Sequence, residues 1–146
     1  MAIDGLREEV AAMFDVLDMG ASGLVAQRVR MDTIAGNIMN INTTRRAGAG
    51  SGPYQRRFVV FGQGAPGNAG GAGVRVAKVG VDKTEGRRAF EPSHPDAGRD
   101  GYVRYPNVDL SIEYVNMMEA SRAYEANVTM MEVTKSMLNA SLRLLA

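Results

Sequence analysis

Between Asn107 and Ala146 the chain places a large residue at every seventh position: Leu110, Met117, Tyr124, Met131, Leu138 and Leu145. Four residues after the first five come Tyr114, Ser121, Val128, Lys135 and Leu142, and the two lines together read as a heptad seam. No proline interrupts the stretch and helix formers dominate it, which predicts a helix from about Asp109 to Leu145, roughly 54 Å long at about 1.5 Å per residue. A second line, Met130, Val133, Met137, Ala140 and Leu144, repeats on an offset face. A two-stranded coiled coil buries one narrow stripe, so two apolar faces require several helices packed at once. The missing neighbours must come from elsewhere in the chain or from other chains.

The N-terminal part offers the first of them. After a short charged lead (residues 1–12), Leu17, Leu24, Met31 and Ile38 recur by sevens, with Ile34 and Ile41 three places on. This predicts a second amphipathic helix from Met13 to about Asn42. Gly20, Ala21, Ser22, Gly23, Ala35 and Gly36 permit close helix approach along it, while each glycine costs up to about 1 kcal/mol of intrinsic helix stability. Such a segment gains its order from packing. Ala47–Pro53 reads as a flexible linker, and then the pattern changes to strands at Tyr54–Phe61, Val74–Val81, Arg87–Glu91 and Gly101–Tyr105. A parity shift between Val76 and Val79 suggests a bulge or a break in the second strand. The expected fold class is α+β. Residues 13–46 and 107–146 form a discontinuous domain of two long terminal helices in a coiled coil or bundle, residues 47–106 form a glycine-rich linker with a small β-rich insert, and residues 1–12 extend the N-terminus.

Composition narrows the function classes. Without cysteine there is no disulfide framework and no thiolate metal site. Residues 47–106 carry 9 basic and 5 acidic side chains, and the two ends are slightly acidic. That imbalance is too mild for a nucleic-acid surface. No run of eighteen apolar residues would insert in a membrane, and Arg7, Glu8, Glu9, Asp15 and Asp18 fall where a cleavable signal needs an apolar core. Gly62-Gln63-Gly64-Ala65-Pro66-Gly67 matches G-x-G-x-x-G, but Pro66 to Gly71 is no helix start, so a hairpin loop is expected there rather than a nucleotide site. The single histidine, His94, lies in a proline-flanked turn with no companion ligands in its motif. No catalytic residue, no cofactor and no metal site is expected. An interface for assembly is expected at Leu17, Leu24, Met31, Ile38, Leu110, Met117, Tyr124, Val128, Met131, Met137, Leu138, Leu142 and Leu145.

Both ends carry a resemblance. Ala21-Ser22-Gly23-Leu24-Val25-Ala26-Gln27, Arg30-Met31 and Ala35-Gly36-Asn37-Ile38-Met39-Asn40 resemble the N-terminal motif of flagellar rod and hook axial proteins, with Ile38-Met39 in place of the usual Leu-Ala. Phe90-Glu91-Pro92, His94-Pro95, Pro106-Asn107-Val108-Asp109 and Ala120-Ser121-Arg122-Ala123-Tyr124-Glu125-Ala126-Asn127 are similar to the proximal-rod members of that family. The family positions are Gln27, Asn37, Asn40, Pro106, Asn107, Ser121, Arg122, Tyr124 and Asn127. The resemblance implies a structural rod subunit without enzyme activity. It implies export through the flagellar type III apparatus without a cleaved signal, and assembly in the periplasm. The implied partners are copies of itself, other proximal and distal rod proteins, and the rod-base, MS-ring and export-gate components, with no nucleic acid and no membrane insertion. Another axial subunit or a generic helical scaffold is the alternative.

Overall fold

The computed structural model describes residues 2–46, 52–64 and 73–145, with side chains over 14–46, 52–64 and 73–143. The expected α+β architecture is present: two long helices with a small β insert between them. Helix α1 spans Ala2–Met39 and helix α2 spans Leu110–Leu145. Helix α1 begins eleven residues before the expected Met13, since the lead contains good helix formers and no breaker stronger than Gly5. It ends at Met39, and just past it Asn40 donates to the Gly36 carbonyl twice, from its backbone amide at 3.2 Å and from its side-chain amide at 2.8 Å. Asp109 starts α2. Its carboxylate accepts from the amides of Ser111 (2.8 Å) and Ile112 (3.2 Å), which are otherwise orphans of the first turn.

Strands β1 (Arg57–Gln63) and β2 (Val74–Val81) pair in one two-stranded sheet, and β3 (Arg88–Phe90) and β4 (Tyr102–Arg104) in another. The first strand starts later than expected because the amides ahead of it are spent elsewhere. Tyr54 donates to the Thr43 carbonyl and Arg56 to the Asn107 side chain. Along β1 and β2, Asp82 bonds to Arg56 and Gly64 to Gly73. Both bonds lie just outside the ends of the two strands. In β3–β4 the antiparallel register sets Arg88 opposite Arg104, Ala89 opposite Val103 and Phe90 opposite Tyr102. Val103 is fully buried, so the Ala89–Val103 face points inward. The linker at 47–51 and most of the glycine-rich loop, 65–72, lie outside the described residues.

The described residues gather into two compact units. One draws on the described residues within 1–29, 61–77 and 120–146. In it α1 meets α2 over small residues: a Cβ at Gly20 would stand 2.8 Å from the Met131 Cγ, and one at Gly23 would stand 3.0 Å from the Asn127 amide. Ser22 anchors the ribbon by accepting from the Val74 amide at 3.0 Å. The other unit draws on Arg30–Val60 and Lys78–Glu119. Here Ile34 and Asn37 of α1 and Glu113 of α2 are buried, and an exposed Arg30–Glu119 pair at 3.2 Å contributes at most about 1 kcal/mol.

Gly86 has no room for a side chain, since a Cβ there would run into the Tyr105 carbonyl oxygen and stand 2.6 Å from the Pro106 carbonyl carbon. Both neighbours are backbone and cannot step aside. Gly86→Ala is expected to lower stability by about 1–3 kcal/mol. Gly52→Ala, with nothing within 4 Å of the new methyl, should leave it within about 0.5 kcal/mol. Urea midpoints of the two variants check the contrast.

Candidate assembly surface

The seam that α2 presents to its own chain differs from the one its apolar spacing suggests. Met117, Tyr124, Met131 and Leu138 are half-buried, and the line completing them is Glu113, Ala120, Asn127 and Thr134. Glu113 and Ala120 are fully buried. Tyr114 and Lys135, expected in the seam, are exposed, as is Leu142. The second line therefore lies one residue earlier and consists of small and polar side chains. It faces the glycine-bearing side of α1, where Gly20, Ala26, Ile34 and Asn37 are buried. Leu17, Leu24, Met31 and Ile38 flank that side and are half-buried, as is Val128 on α2. Leu110 and Met137 are exposed, and the Leu145 side chain is outside the described residues.

Around Glu113 sits a buried polar cluster. The Asn37 amide makes four bonds. Its oxygen accepts from the Arg57 backbone amide (2.8 Å) and the Tyr54 hydroxyl (3.0 Å), and its nitrogen donates to the Arg57 carbonyl (2.8 Å) and Glu113 Oε2 (3.0 Å). Both donors and both acceptor positions of the side chain are used. The other Glu113 oxygen accepts from Arg56 Nε at 2.7 Å. With Glu113 fully buried and Arg56 largely covered, the pair is held by charge-assisted bonding in a poorly hydrated site. Asn107 extends the arrangement: its oxygen accepts from the Arg56 amide, and its nitrogen donates to the Asp82 carbonyl and the Thr84 hydroxyl. Pro106 beside it is buried.

Several positions read from the sequence thus have physical roles. Asn37 and Asn107 tie irregular backbone to the helices, Asn40 closes α1, Asn127 fills the space over Gly23, and Tyr124 lies in the seam. Gln27 is half-buried, and its Oε1 is buried with no partner among the described residues. Ser121 bonds within its own helix to Glu125 at 3.4 Å, and Arg122 is exposed. His94 is half-buried in its turn and accepts from the Asp96 amide at 3.0 Å. Sequence reasoning missed Tyr54, Arg56 and Glu113. The one available signal was Glu113 standing seven residues before Ala120, on a line that no carboxylate would occupy without a partner.

Among the described residues nothing covers the opposite side of α2. Ile112, Val115 and Met118 are exposed near its start, and Val133 (53%) and Met137 (61%) further on. Met130 belongs to the same line but reaches back toward Gly20. This is the second apolar face of the sequence, and it stays open while the first is closed by α1. Among the described residues no helix is long and apolar enough to cross a membrane, and no cluster of three or more His, Cys, Asp or Glu side chains is placed to hold a metal.

The two helical ends are also the parts that match known families. Residues 17–45 match the flagella basal body rod protein model, and residues 99–144 match the C-terminal model of the flagellar basal body rod FlgEFG proteins. The class is that of the flagellar basal-body rod proteins. Beyond these segments the chain is 39% identical to the flagellar basal-body rod protein FlgC of Borreliella burgdorferi, over 91% of this chain and 97% of the relative. It is 38% identical to FlgC of Bacillus subtilis (90% and 97%) and 39% identical to FlgC of Salmonella typhimurium (91% and 98%). The chain belongs to the FlgC family of flagellar basal-body rod proteins.

Two outcomes test the polar cluster. Asn37→Asp keeps the shape but loses two donors and sets a second carboxylate against Glu113, so a loss of about 3 kcal/mol or more is expected in urea unfolding. The second concerns alkali. Burial raises the Tyr54 hydroxyl above its ordinary value, opposed by Arg57 and aided by Glu113, and a hydrogen bond to Glu91 raises Tyr105. Both groups hold their protons longer when folded. Their contribution is complete below pH 10 and is lost as pH climbs through the folded values. Circular dichroism between pH 8 and 12 should show stability falling above pH 10, less steeply in Tyr54→Phe.

Proposed function

We propose that this chain is a structural subunit of the proximal part of the flagellar rod, the shaft that transmits motor torque, and that it is needed for flagellum assembly and swimming. It acts by packing and carries no catalytic chemistry. The observation that carries the reading is identity near 39% to FlgC proteins over nearly the whole of both chains. The open apolar face of α2 supports it. A helix already paired with α1 still offers Ile112, Val115, Met118, Val133 and Met137 to water, and such a stripe marks a surface that neighbours cover. The covering helices belong to copies of this chain and to the adjoining proximal and distal rod proteins, with the MS-ring and export-gate components at the base. The assembly interface comprises this face together with the half-buried flanks Leu17, Leu24, Met31 and Ile38. The glycine-softened α1 suits a subunit that leaves through the flagellar type III apparatus without a cleaved signal and reaches full order among its neighbours in the periplasm.

Met137→Asp tests this directly. The side chain is largely exposed in the single chain, so the variant's stability should stay within about 0.5 kcal/mol of the parent. In the rod it would bury an unpaired charge. A deletion strain carrying Met137→Asp is expected to be non-motile and to lack completed rods by electron microscopy. Wild-type motility would overturn the placement of this face at an interface.

A further inference from the structure

The outer face of the β3–β4 hairpin carries an arrangement that the helix packing does not explain. Arg88 and Arg104 are directly opposed across the two strands. The ladder bonds run between Tyr105 and Arg87 and between Glu91 and Gly101, which leaves Arg88–Arg104 and Phe90–Tyr102 as non-hydrogen-bonded pairs, the kind in which side chains stand closer. Like charges directly opposite destabilise a two-stranded sheet. Little relieves them here: Arg88 has an exposed contact to Glu85 at 3.4 Å, and Arg104 has no ion pair among the described residues. A cleft of about 300 Å³ opens beside them, lined also by Arg45, whose charge is met by Asp96, and by Asp100. On the same face Phe90 and Tyr102 meet edge to face, ring centroids 5.2 Å apart, yet Phe90 remains 64% exposed and Tyr102 45%. Two arginines beside two open aromatic rings form a surface for a partner with both carboxylates and an apolar side chain.

The chain contains such a partner. Residues 1–18 hold five acidic side chains and one basic one, and they fall almost wholly ahead of the segment matched by the rod model, which begins at residue 17. Within this stretch Phe14 is 54% exposed, and Asp15 and Asp18 are exposed. Phe14 and Asp18 are one helical turn apart, as are Asp15 and Asp18, so the three share one side of α1. Opposite charge and matching apolar groups fit this segment, presented by a second copy, to the hairpin face.

We propose that the Phe14–Asp15–Asp18 patch of one copy docks on the Arg88–Arg104 and Phe90–Tyr102 face of the next. The carboxylates neutralise the opposed arginines and the phenyl ring covers the aromatic pair. Because the two surfaces differ, the contact is head-to-tail and adds subunits without closing on itself unless its rotation closes a ring. The inference presupposes the self-assembly proposed above, and its test separates the two. The protein has no cysteine, so introduced thiols report without background. Asp15→Cys protein is mixed with Arg104→Cys protein under polymerising conditions and oxidised mildly. A disulfide-linked dimer of the two variants is expected at least tenfold above that from Asp15→Cys with Lys78→Cys, an exposed position on another strand. Adding Asp18→Arg to the first partner should reduce the yield, and Arg88→Asp in the second should restore it. Polymers that form without the Asp15–Arg104 cross-link would overturn this contact and leave the assembly reading standing. A cross-link unchanged by Asp18→Arg would overturn the charge pairing.

Discussion

The structure depends on one carboxylate that has no access to water. Glu113 lies on the inner face of α2, and its two oxygens are held by Arg56 and Asn37. An unpaired charge at that depth would cost several kcal/mol, so the segment bearing Arg56 cannot leave without unseating the helix pair. Asn37 does the complementary work from α1, reading the Arg57 peptide through both its groups while bonding Tyr54 and Glu113. Three stretches distant in the chain are thereby fixed through two side chains. The strand that begins at Arg57 starts at a defined place, and the insert is tied to the helices that flank it in sequence.

This polar fixing explains how the helices can be soft elsewhere. Gly20 and Gly23 let α1 approach Met131 and Asn127 closely, and both lower the helix's own stability. Contacts of small residues contribute through proximity and specify register by shape. The buried cluster specifies it by bonding. Together they leave the large apolar residues of α2, Ile112, Val115, Met118, Val133 and Met137, free for other chains. A subunit built to polymerise needs this division, with one face settled within the chain and another settled only on assembly.

Much of the architecture was legible in the sequence. Seven-residue spacing located both helices, α2 to within a residue at its start, and alternation located β2 at Val74–Val81. The two apolar faces of α2 were legible too, but the second line of its inner seam was not. Glu113, Asn127 and Thr134 are polar and Ala120 is small, so the line does not stand out as an apolar seam, and the reasons for its burial lie on other elements: Asn37 and Arg56 for Glu113, Gly23 for Asn127. Tyr54–Arg56 looked like strand by composition, yet the Tyr54 amide bonds to Thr43 and the Arg56 amide to Asn107. The charged lead is continuous with α1 from Ala2 onward. Local pattern indicates an element, and the long-range bond decides where it stops. The family residues Asn37, Asn40 and Asn107 were found by resemblance alone, and their roles are visible only in three dimensions.

The central claim is that α2 meets its own chain with one face and other subunits with the opposite one. Methionines on the two sides report on this without mutation, since thioether oxidation follows exposure. Met117 and Met131 lie in the inner seam, and Met118 and Met137 on the outer face. Oxidative footprinting of the free chain and of purified basal bodies, read by mass spectrometry, is the most direct measurement. The account predicts that Met118 and Met137 react readily in the free chain and become protected in the basal body, with Met117 and Met131 changing little. Equal reactivity of Met118 and Met137 in both states would contradict it.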